Sequence, residues 1–170
     1  MELNKEQFIR DFKDTLHERQ LIKIADDTAA ELFQALAGTI RKYITPLWLE
    51  RRNKLVEQQQ KTAYYFSIEF LPGRMLETNL LNLGILDTVK ESFVELGVDF
   101  EDVKNAEHDM ALGNVGLGRL AAAFMDSLAT NGYPGFGNGL RYRYGLFKQR
   151  IVNGYQVEIP DDWFGSLGNV

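Results

Sequence analysis

The glycine-rich run Leu112–Gly118 constrains the fold of this chain more than any other feature. It places three glycines, Gly113, Gly116 and Gly118, within six residues and directly before an apolar helical pattern. Such a loop turns sharply, brings backbone N–H groups close to an anion and places that anion at the positive end of a helix dipole. The spacing G-x-x-G-x-G is neither the dinucleotide fingerprint nor a Walker loop, since no Lys-Ser/Thr follows. Spacing alone leaves two interpretations open, a phosphate-binding loop and a helix start that is merely tight.

Helical periodicity dominates the first part of the chain. Asn4 is a plausible N-cap for a first amphipathic helix, and Asp26–Thr28 precede a long second helix that Pro46 is expected to kink rather than end. Apolar residues at helical spacing predict six helices. Their predicted extents are Lys5–Arg19, a long segment from Ala29 to the polar run at Glu57, Met75–Leu83, Leu86–Leu96, Phe100–Glu107 and Leu117–Asn131.

Strand patterns lie between and after these helices. Thr62–Phe70 is rich in β-branched and aromatic residues, and Leu71–Arg74 is expected to break it. Asn153–Gly154 between two apolar-patterned runs predicts a β-hairpin. The remaining predicted strands are Gly137–Leu146, Gln149–Asn153 and Tyr155–Ile159. Together the helices and strands predict an α/β fold.

Composition excludes several function classes. With 170 residues and 45% apolar residues the chain is long enough to bury one good core. It has no cysteine, so a disulfide framework, a thiolate nucleophile and a zinc-thiolate site are excluded. The net charge of -5 is scattered in both signs, which argues against nucleic acid as a partner. No apolar run is long enough for a membrane span or a leader peptide, so we expect a cytoplasmic location.

Other polar residues have a structural alternative. Glu158, Asp161 and Asp162 are compatible with a metal site or an acid/base pair, but Pro160–Asp162 is also good turn chemistry, and we favour the turn. His17 and His108 have no companion residue at metal-ligand spacing, so no metal site is predicted. Arg74 is compatible with an anion clamp, and a structural ion pair is favoured.

Three long blocks carry a resemblance to a known family. They are YYFSIEFLPGR at Tyr64–Arg74, ALGNVGLGRLAAAFMDSLAT at Ala111–Thr130 and GLRYRYGLFKQRIVNGYQVEIPDDW at Gly139–Trp163. The blocks and their order are similar to the amino-terminal region of the α-1,4-glucan phosphorylases, the glycogen, starch and maltodextrin phosphorylase family. The chain stops at Gly168–Val170 without a terminal cap, which we expect to be a cut in a longer protein.

The resemblance implies a domain organisation. Residues 1–61 would form a helical segment at the start of the protein. Residues 62–170 would form an incomplete α/β amino-terminal domain that continues beyond 170, part of a doubly wound, glycosyltransferase-B-like fold with peripheral β-hairpin strands.

The resemblance also implies an activity. In this family inorganic phosphate cleaves the terminal α-1,4 bond of a glucan such as glycogen or maltodextrin and releases glucose 1-phosphate with retained configuration. Pyridoxal 5'-phosphate assists through its own phosphate group. Family members are homodimers, so self-association is expected.

The family roles of the glycine-rich loop fall on three positions of this chain. Val115, Gly116 and Leu117 match the residues whose amides face the substrate phosphate and glucosyl unit, and Gly116 is expected to contact the cofactor phosphate. The family has glycine where this chain has Val115. If that position required φ > 0, the valine would cost about 1–3 kcal/mol of strain. The counterpart of Glu69 lies near the glucosyl pocket, so Glu69 is a further candidate substrate-binding residue.

The cofactor lysine of the family is absent from this chain, because no lysine here lies in a segment of the form S-G-T-S/G-N-M-K. No catalytic residue is therefore predicted within the 170 residues, and the isolated chain is expected to be inactive. Two function classes stay open: part of an active phosphorylase, and a catalytically inactive truncated product or a structural or binding module.

Overall fold

The computed structural model describes residues 3–19, 24 and 27–163. The predicted turn-like end at 168–170 lies outside these residues, as does Asp26 of the predicted helix cap. The chain forms two compact units that interleave along the sequence. One takes in the chain up to Asn53 together with Met75–Glu107, and the other takes in Lys54–Arg74 and the chain from His108 onward. The domain division of a longer protein at residue 61 stays a prediction.

The first unit is helical. Its core is aromatic and aliphatic, with Phe8, Phe12 and Phe93 fully buried and the rings of Phe12 and Phe93 5.2 Å apart. Each such buried side chain contributes about 1.5–3 kcal/mol to folding. The helices are α1 (Lys5–Glu18), the larger part of α2 (Ala29–Glu57), α3 (Leu76–Leu83), α4 (Leu86–Leu96) and α5 (Phe100–Asn105).

Side-chain caps fix the start of the first two helices. Asn4 Oδ1 accepts a hydrogen bond from the backbone N–H of Gln7 at 2.8 Å, as its place before α1 predicted. Thr28 and Glu31 form a capping box at α2, because Glu31 Oε2 accepts from the Thr28 N–H at 2.8 Å and the Glu31 N–H donates to Thr28 Oγ1 at 3.3 Å. Pro46 lies inside α2 and does not end it, as predicted, whereas the kink expected there stays a prediction.

Within the described residues, the second unit combines one complete helix and the end of α2 with three two-stranded sheets. Strands β1 (Ala63–Phe66) and β4 (Gly135–Asn138) are parallel, with Ala63 opposite Gly135. Strands β2 (Phe70–Gly73) and β3 (Met110–Leu112) are antiparallel, with Phe70 opposite Leu112. Helix α6 (Gly116–Thr130) follows β3.

The predicted hairpin is confirmed. Strands β5 (Lys148–Val152) and β6 (Tyr155–Ile159) pair antiparallel, with Val152 opposite Tyr155. Asn153 and Gly154 have φ of 51° and 82°, the left-handed values that a two-residue type I′ turn requires.

Two strand predictions were wrong. The single predicted strand Thr62–Phe70 is two strands, and Leu71–Gly73, predicted to break a strand, belongs to β2 because it pairs with β3. The predicted strand Gly137–Leu146 is β4 alone, at 135–138. The chain departs at Gly139, whose backbone lies so close to the Ser67 carbonyl and the Phe70 ring that a side chain there would overlap both.

The fold is thus mixed α and β with small sheets, as the sequence predicted at that level. None of the helices within 3–19 and 27–163 is long and apolar enough to cross a membrane.

Candidate functional site

The glycine-rich segment connects β3 to α6. Leu112 ends β3, and Gly116 is the first residue of the helix, one position earlier than predicted. Because Phe70 pairs with Leu112, the residue before Phe70, Glu69, lies directly beneath the loop. The register of two short strands therefore brings together residues more than 40 positions apart in sequence.

The three glycines of the loop have different surroundings. Gly113 has φ of 109°, and a Cβ there would overlap the Glu69 side chain. A Cβ on Gly118 would overlap Leu71 and come within 3.2 Å of Glu69 Cβ. A Cβ on Gly116 would have no atom within 4 Å apart from its chain neighbours and the backbone of its own helix. Two glycines therefore make room for the segment Glu69–Leu71, whereas Gly116 faces open space.

Glu69 caps the helix from outside it. Its Oε2 accepts a hydrogen bond from the Gly118 N–H at 3.2 Å, and its own N–H donates to Ser67 Oγ at 3.2 Å. Val115, the residue at the N-cap position, supplies no side-chain cap. The Glu69 carboxylate thus takes the place of the Ser, Thr or Asp that usually occupies that position.

Val115 carries no backbone strain. Its φ of -86° and ψ of -57° are ordinary right-handed helical values, so the penalty that a positive φ would impose does not arise. The side chain is 68% exposed beside the start of the helix.

Two amides of the first helical turn remain for a ligand. The first four N–H groups of an α-helix, counted from the N-cap residue, have no partner within the helix, and the backbone bond that opens this one runs from the Arg119 N–H to the carbonyl of the N-cap residue Val115 at 3.1 Å. Since Glu69 accepts from Gly118, the N–H groups of Gly116 and Leu117 are left at the positive end of the helix dipole. Both residues are exposed.

Arg119 forms hydrogen bonds from the first turn of α6 to strand β2. Its Nη1 lies 3.4 Å from the Leu71 carbonyl oxygen and 3.5 Å from that of Pro72, long hydrogen bonds that contribute modestly. Arg74 follows β2 directly. Its predicted roles, ion pair and anion clamp, stay predictions.

A groove opens at the carboxyl ends of the parallel strands β1 and β4. Its volume is about 400 Å³. This end of a parallel sheet is where open α/β folds bind ligands. Glu69 comes directly after Ile68, one of the residues that line the groove. The lining residues are Phe66, Ser67, Ile68, Asn138, Gly139 and Leu140.

A cluster of polar side chains around Asp161 was not predicted from the sequence. Asp161, which is buried, has Oδ1 3.1 Å from His108 Nε2 and 3.4 Å from Lys148 Nζ, although neither contact has hydrogen-bond geometry. The Asp161 carbonyl accepts from the Gly145 and Trp163 N–H groups at 2.9 and 3.0 Å. His108 and Asp161 are 53 positions apart, and no spacing in the sequence links them. No group of three or more His, Asp or Glu side chains suited to a metal occurs within 3–19 and 27–163.

Comparison with known proteins identifies relatives of this chain. Residues 93–169 match the sequence model of a family described as carbohydrate phosphorylase. A glycogen phosphorylase of Chlamydia trachomatis serovar D is 51% identical over 133 residues, which is 78% of this chain and 16% of that protein. A glycogen phosphorylase of Bacillus subtilis is 46% identical over 145 residues, 85% of this chain and 18% of that protein. The brain-form glycogen phosphorylase of Homo sapiens is 45% identical over 136 residues, 80% of this chain and 16% of that protein.

Proposed function

The chain belongs to the carbohydrate phosphorylase family, and from that premise we propose that it is part of an α-1,4-glucan phosphorylase. The whole protein would use inorganic phosphate to release glucose 1-phosphate from glycogen or maltodextrin. A phosphate oxygen forms the new bond to C1 of the terminal glucosyl unit, the C1–O4 bond breaks, and the leaving O4 takes a proton. The configuration at C1 is retained.

The observation that carries this proposal is the start of α6. The N–H groups of Gly116 and Leu117 belong to exposed residues at the positive end of the helix dipole, and no side chain at Gly116 obstructs an approaching anion. A phosphate oxygen is the ligand best suited to two adjacent helix-start amides. We assign phosphate binding to these two residues. Val115 would contribute its amide at most, because its exposed side chain stands beside the approach.

The same amides fit the phosphate group of the cofactor that the family implies. Pyridoxal 5'-phosphate supplies a phosphate that takes part in proton transfer when bound. Gly116 would face that group, since it is the loop glycine at which a Cβ would meet open space. The lysine that holds the cofactor would come from another part of the protein, so the 170-residue chain alone would not turn over.

Other properties of the whole protein belong to the same proposal. The chain spans only 16–18% of the length of the glycogen phosphorylases named above. The parallel strands β1 and β4 would be two members of a larger doubly wound, glycosyltransferase-B-like sheet. A homodimer and a cytoplasmic location remain parts of this proposal.

Phosphorolysis tests the proposal directly. The full-length protein encoded by the gene for this chain is incubated with maltoheptaose and inorganic phosphate, and glucose 1-phosphate is measured. We expect phosphate-dependent release by the full-length protein and none above background by residues 1–170 alone. Absence of release by the full-length protein, reconstituted with pyridoxal phosphate, would favour an inactive or structural role. Release of glucose 1-phosphate by residues 1–170 alone would contradict the proposal that this segment needs the rest of the protein for catalysis.

A further inference from the structure

We propose that Glu69 is a positioning residue, one that sets the orientation of the phosphate-binding amides of α6 through its hydrogen bond to Gly118. The inference rests on the proposed function and adds a residue whose role there is indirect. Its basis is the packing of Glu69 within the glycine-rich loop.

The loop is shaped around the Glu69 side chain. Gly113 adopts φ of 109°, a value that glycine alone reaches easily, and a Cβ there would overlap three carbon atoms of Glu69. Gly118 is buried against Glu69 and Leu71 in the same way. Both ends of the loop are therefore fitted to one carboxylate side chain.

The hydrogen bond from Gly118 uses one amide of the first turn and leaves the other two for a ligand. Gly118 is the third residue of the helix, and its N–H is directed to Glu69 Oε2 at 3.2 Å. A carboxylate at this point both satisfies an amide and favours the helix dipole. Fixing the third amide also fixes the direction of the two before it, because the three belong to one rigid helical turn.

Glu69 is itself held in place. Its N–H donates to Ser67 Oγ at 3.2 Å, and the Ser67 N–H donates to the Asn138 carbonyl at 3.0 Å. The chain of contacts therefore runs from the end of β4 through Ser67 and Glu69 to Gly118. Its effect would be to tie the phosphate-binding turn to the groove at the carboxyl ends of β1 and β4.

Hydrogen exchange of the Gly118 amide tests the contact independently of activity. Exchange would be measured on the full-length protein by mass spectrometry with fragmentation that resolves single amides. Glu69→Ala is expected to speed exchange at Gly118 by about tenfold or more, the effect of losing one charge-assisted hydrogen bond. Glu69→Gln keeps an acceptor oxygen and should preserve most of the protection, whereas Glu69→Asp is one methylene too short and should lose it.

The control is Glu158→Ala, an exposed carboxylate on β6. It should leave Gly118 exchange unchanged. If Glu69→Ala also accelerates exchange in the hairpin 148–159, the protein has opened globally, and the comparison of Glu69→Gln with Glu69→Asp then decides. Equal exchange at Gly118 in the wild type, Glu69→Ala and Glu69→Asp would overturn the proposal.

Kinetics separate positioning from direct substrate contact. We expect Glu69→Ala to raise the KM for phosphate about tenfold or more, with Glu69→Gln restoring it and the KM for maltoheptaose unchanged. A raised glucan KM with no rescue by glutamine would instead make Glu69 a direct substrate ligand and overturn the positioning role. If the wild-type protein shows no phosphorolysis, the proposed function fails while the exchange result still reports on the contact.

Discussion

At the scale of single residues, the glycines of the loop separate into two roles. Gly113 has a backbone conformation that L-residues rarely adopt, and a Cβ on it or on Gly118 would overlap a neighbouring side chain. Gly116 has neither constraint, because it lies in the helix and a Cβ on it would meet no atom within 4 Å beyond its chain neighbours and the backbone of its own helix. A side chain at Gly116 would therefore disturb a ligand and not the fold.

Alanine substitutions distinguish these roles. In the full-length protein we expect Gly113→Ala to lower the free energy of unfolding by about 1–3 kcal/mol, from backbone strain and displacement of Glu69. Gly116→Ala should leave it unchanged or raise it by up to about 1 kcal/mol, because alanine is the better helix former. Urea unfolding measures both. Equal destabilisation by the two variants would contradict the assigned difference.

Asp161 gives a second residue-scale prediction. Asp161→Asn keeps the size of this buried side chain and removes its charge attraction to Lys148. Because Lys148 is half exposed, we expect a loss on the order of 1 kcal/mol in the free energy of unfolding. Glu158→Gln on the exposed strand β6 is the matched control and should have no effect. An unchanged urea midpoint for Asp161→Asn would show that the cluster contributes nothing.

The contacts of Glu69 and Asp161 illustrate what the sequence does not reveal. The glycine spacing predicted a tight loop before a helix, and both features are present. The contact between Gly118 and Glu69 joins residues 49 positions apart and follows from the β2–β3 register. No local pattern encodes that register, since the two strands pair at only Phe70 with Leu112 and Gly73 with Met110.

At the scale of elements, the helices were predicted well because each has a local signal. Asn4 caps α1, the Thr28–Glu31 box caps α2, and Gly84 and Gly97 end α3 and α4 with left-handed φ near 70°. The strands were predicted less well. Pairing within a sheet is non-local, so Leu71–Gly73 joins β2 despite a proline that usually breaks strands.

The capping box of α2 predicts a pH dependence. Hydrogen bonds from the backbone N–H and the hydroxyl of Thr28 hold the pKa of Glu31 below its ordinary value of 4.5. A lowered folded-state pKa means that the stabilisation is present above the unfolded pKa and is lost as the pH falls through the folded one. We expect Glu31→Gln to lower the Tm at pH 7 and the difference from wild type to shrink as the pH falls to 3. A Tm difference independent of pH would contradict this account.

At the scale of the whole molecule, the second unit has sheets too small to be stable alone. Parallel sheets are normally covered on both faces, and two-stranded sheets are marginal in water. Here β1 and β4 leave Phe66 77% exposed, and the rings of Tyr64 and Phe136 stack 5.6 Å apart with both residues accessible to solvent. The longer phosphorylase that we propose would cover these faces.

Dye binding tests whether these aromatic residues are covered in the proposed longer protein. We expect residues 1–170 expressed alone to bind the apolar-surface probe ANS with strong fluorescence, because the aromatic faces of β1 and β4 are uncovered. The full-length protein at the same molar concentration should give little fluorescence. Equal, low fluorescence for both would show that the segment covers its own apolar surface.

The proposed function depends on phosphate binding by the amides of Gly116 and Leu117. The most direct measurement is the KM for inorganic phosphate in the full-length protein carrying Gly116→Val, with Leu120→Val, an exposed position on the same helix, as the control. The account predicts a rise of about tenfold or more for Gly116→Val, since a branched side chain would displace the anion from one charge-assisted hydrogen bond, and no change for Leu120→Val. An unchanged phosphate KM in Gly116→Val would contradict it.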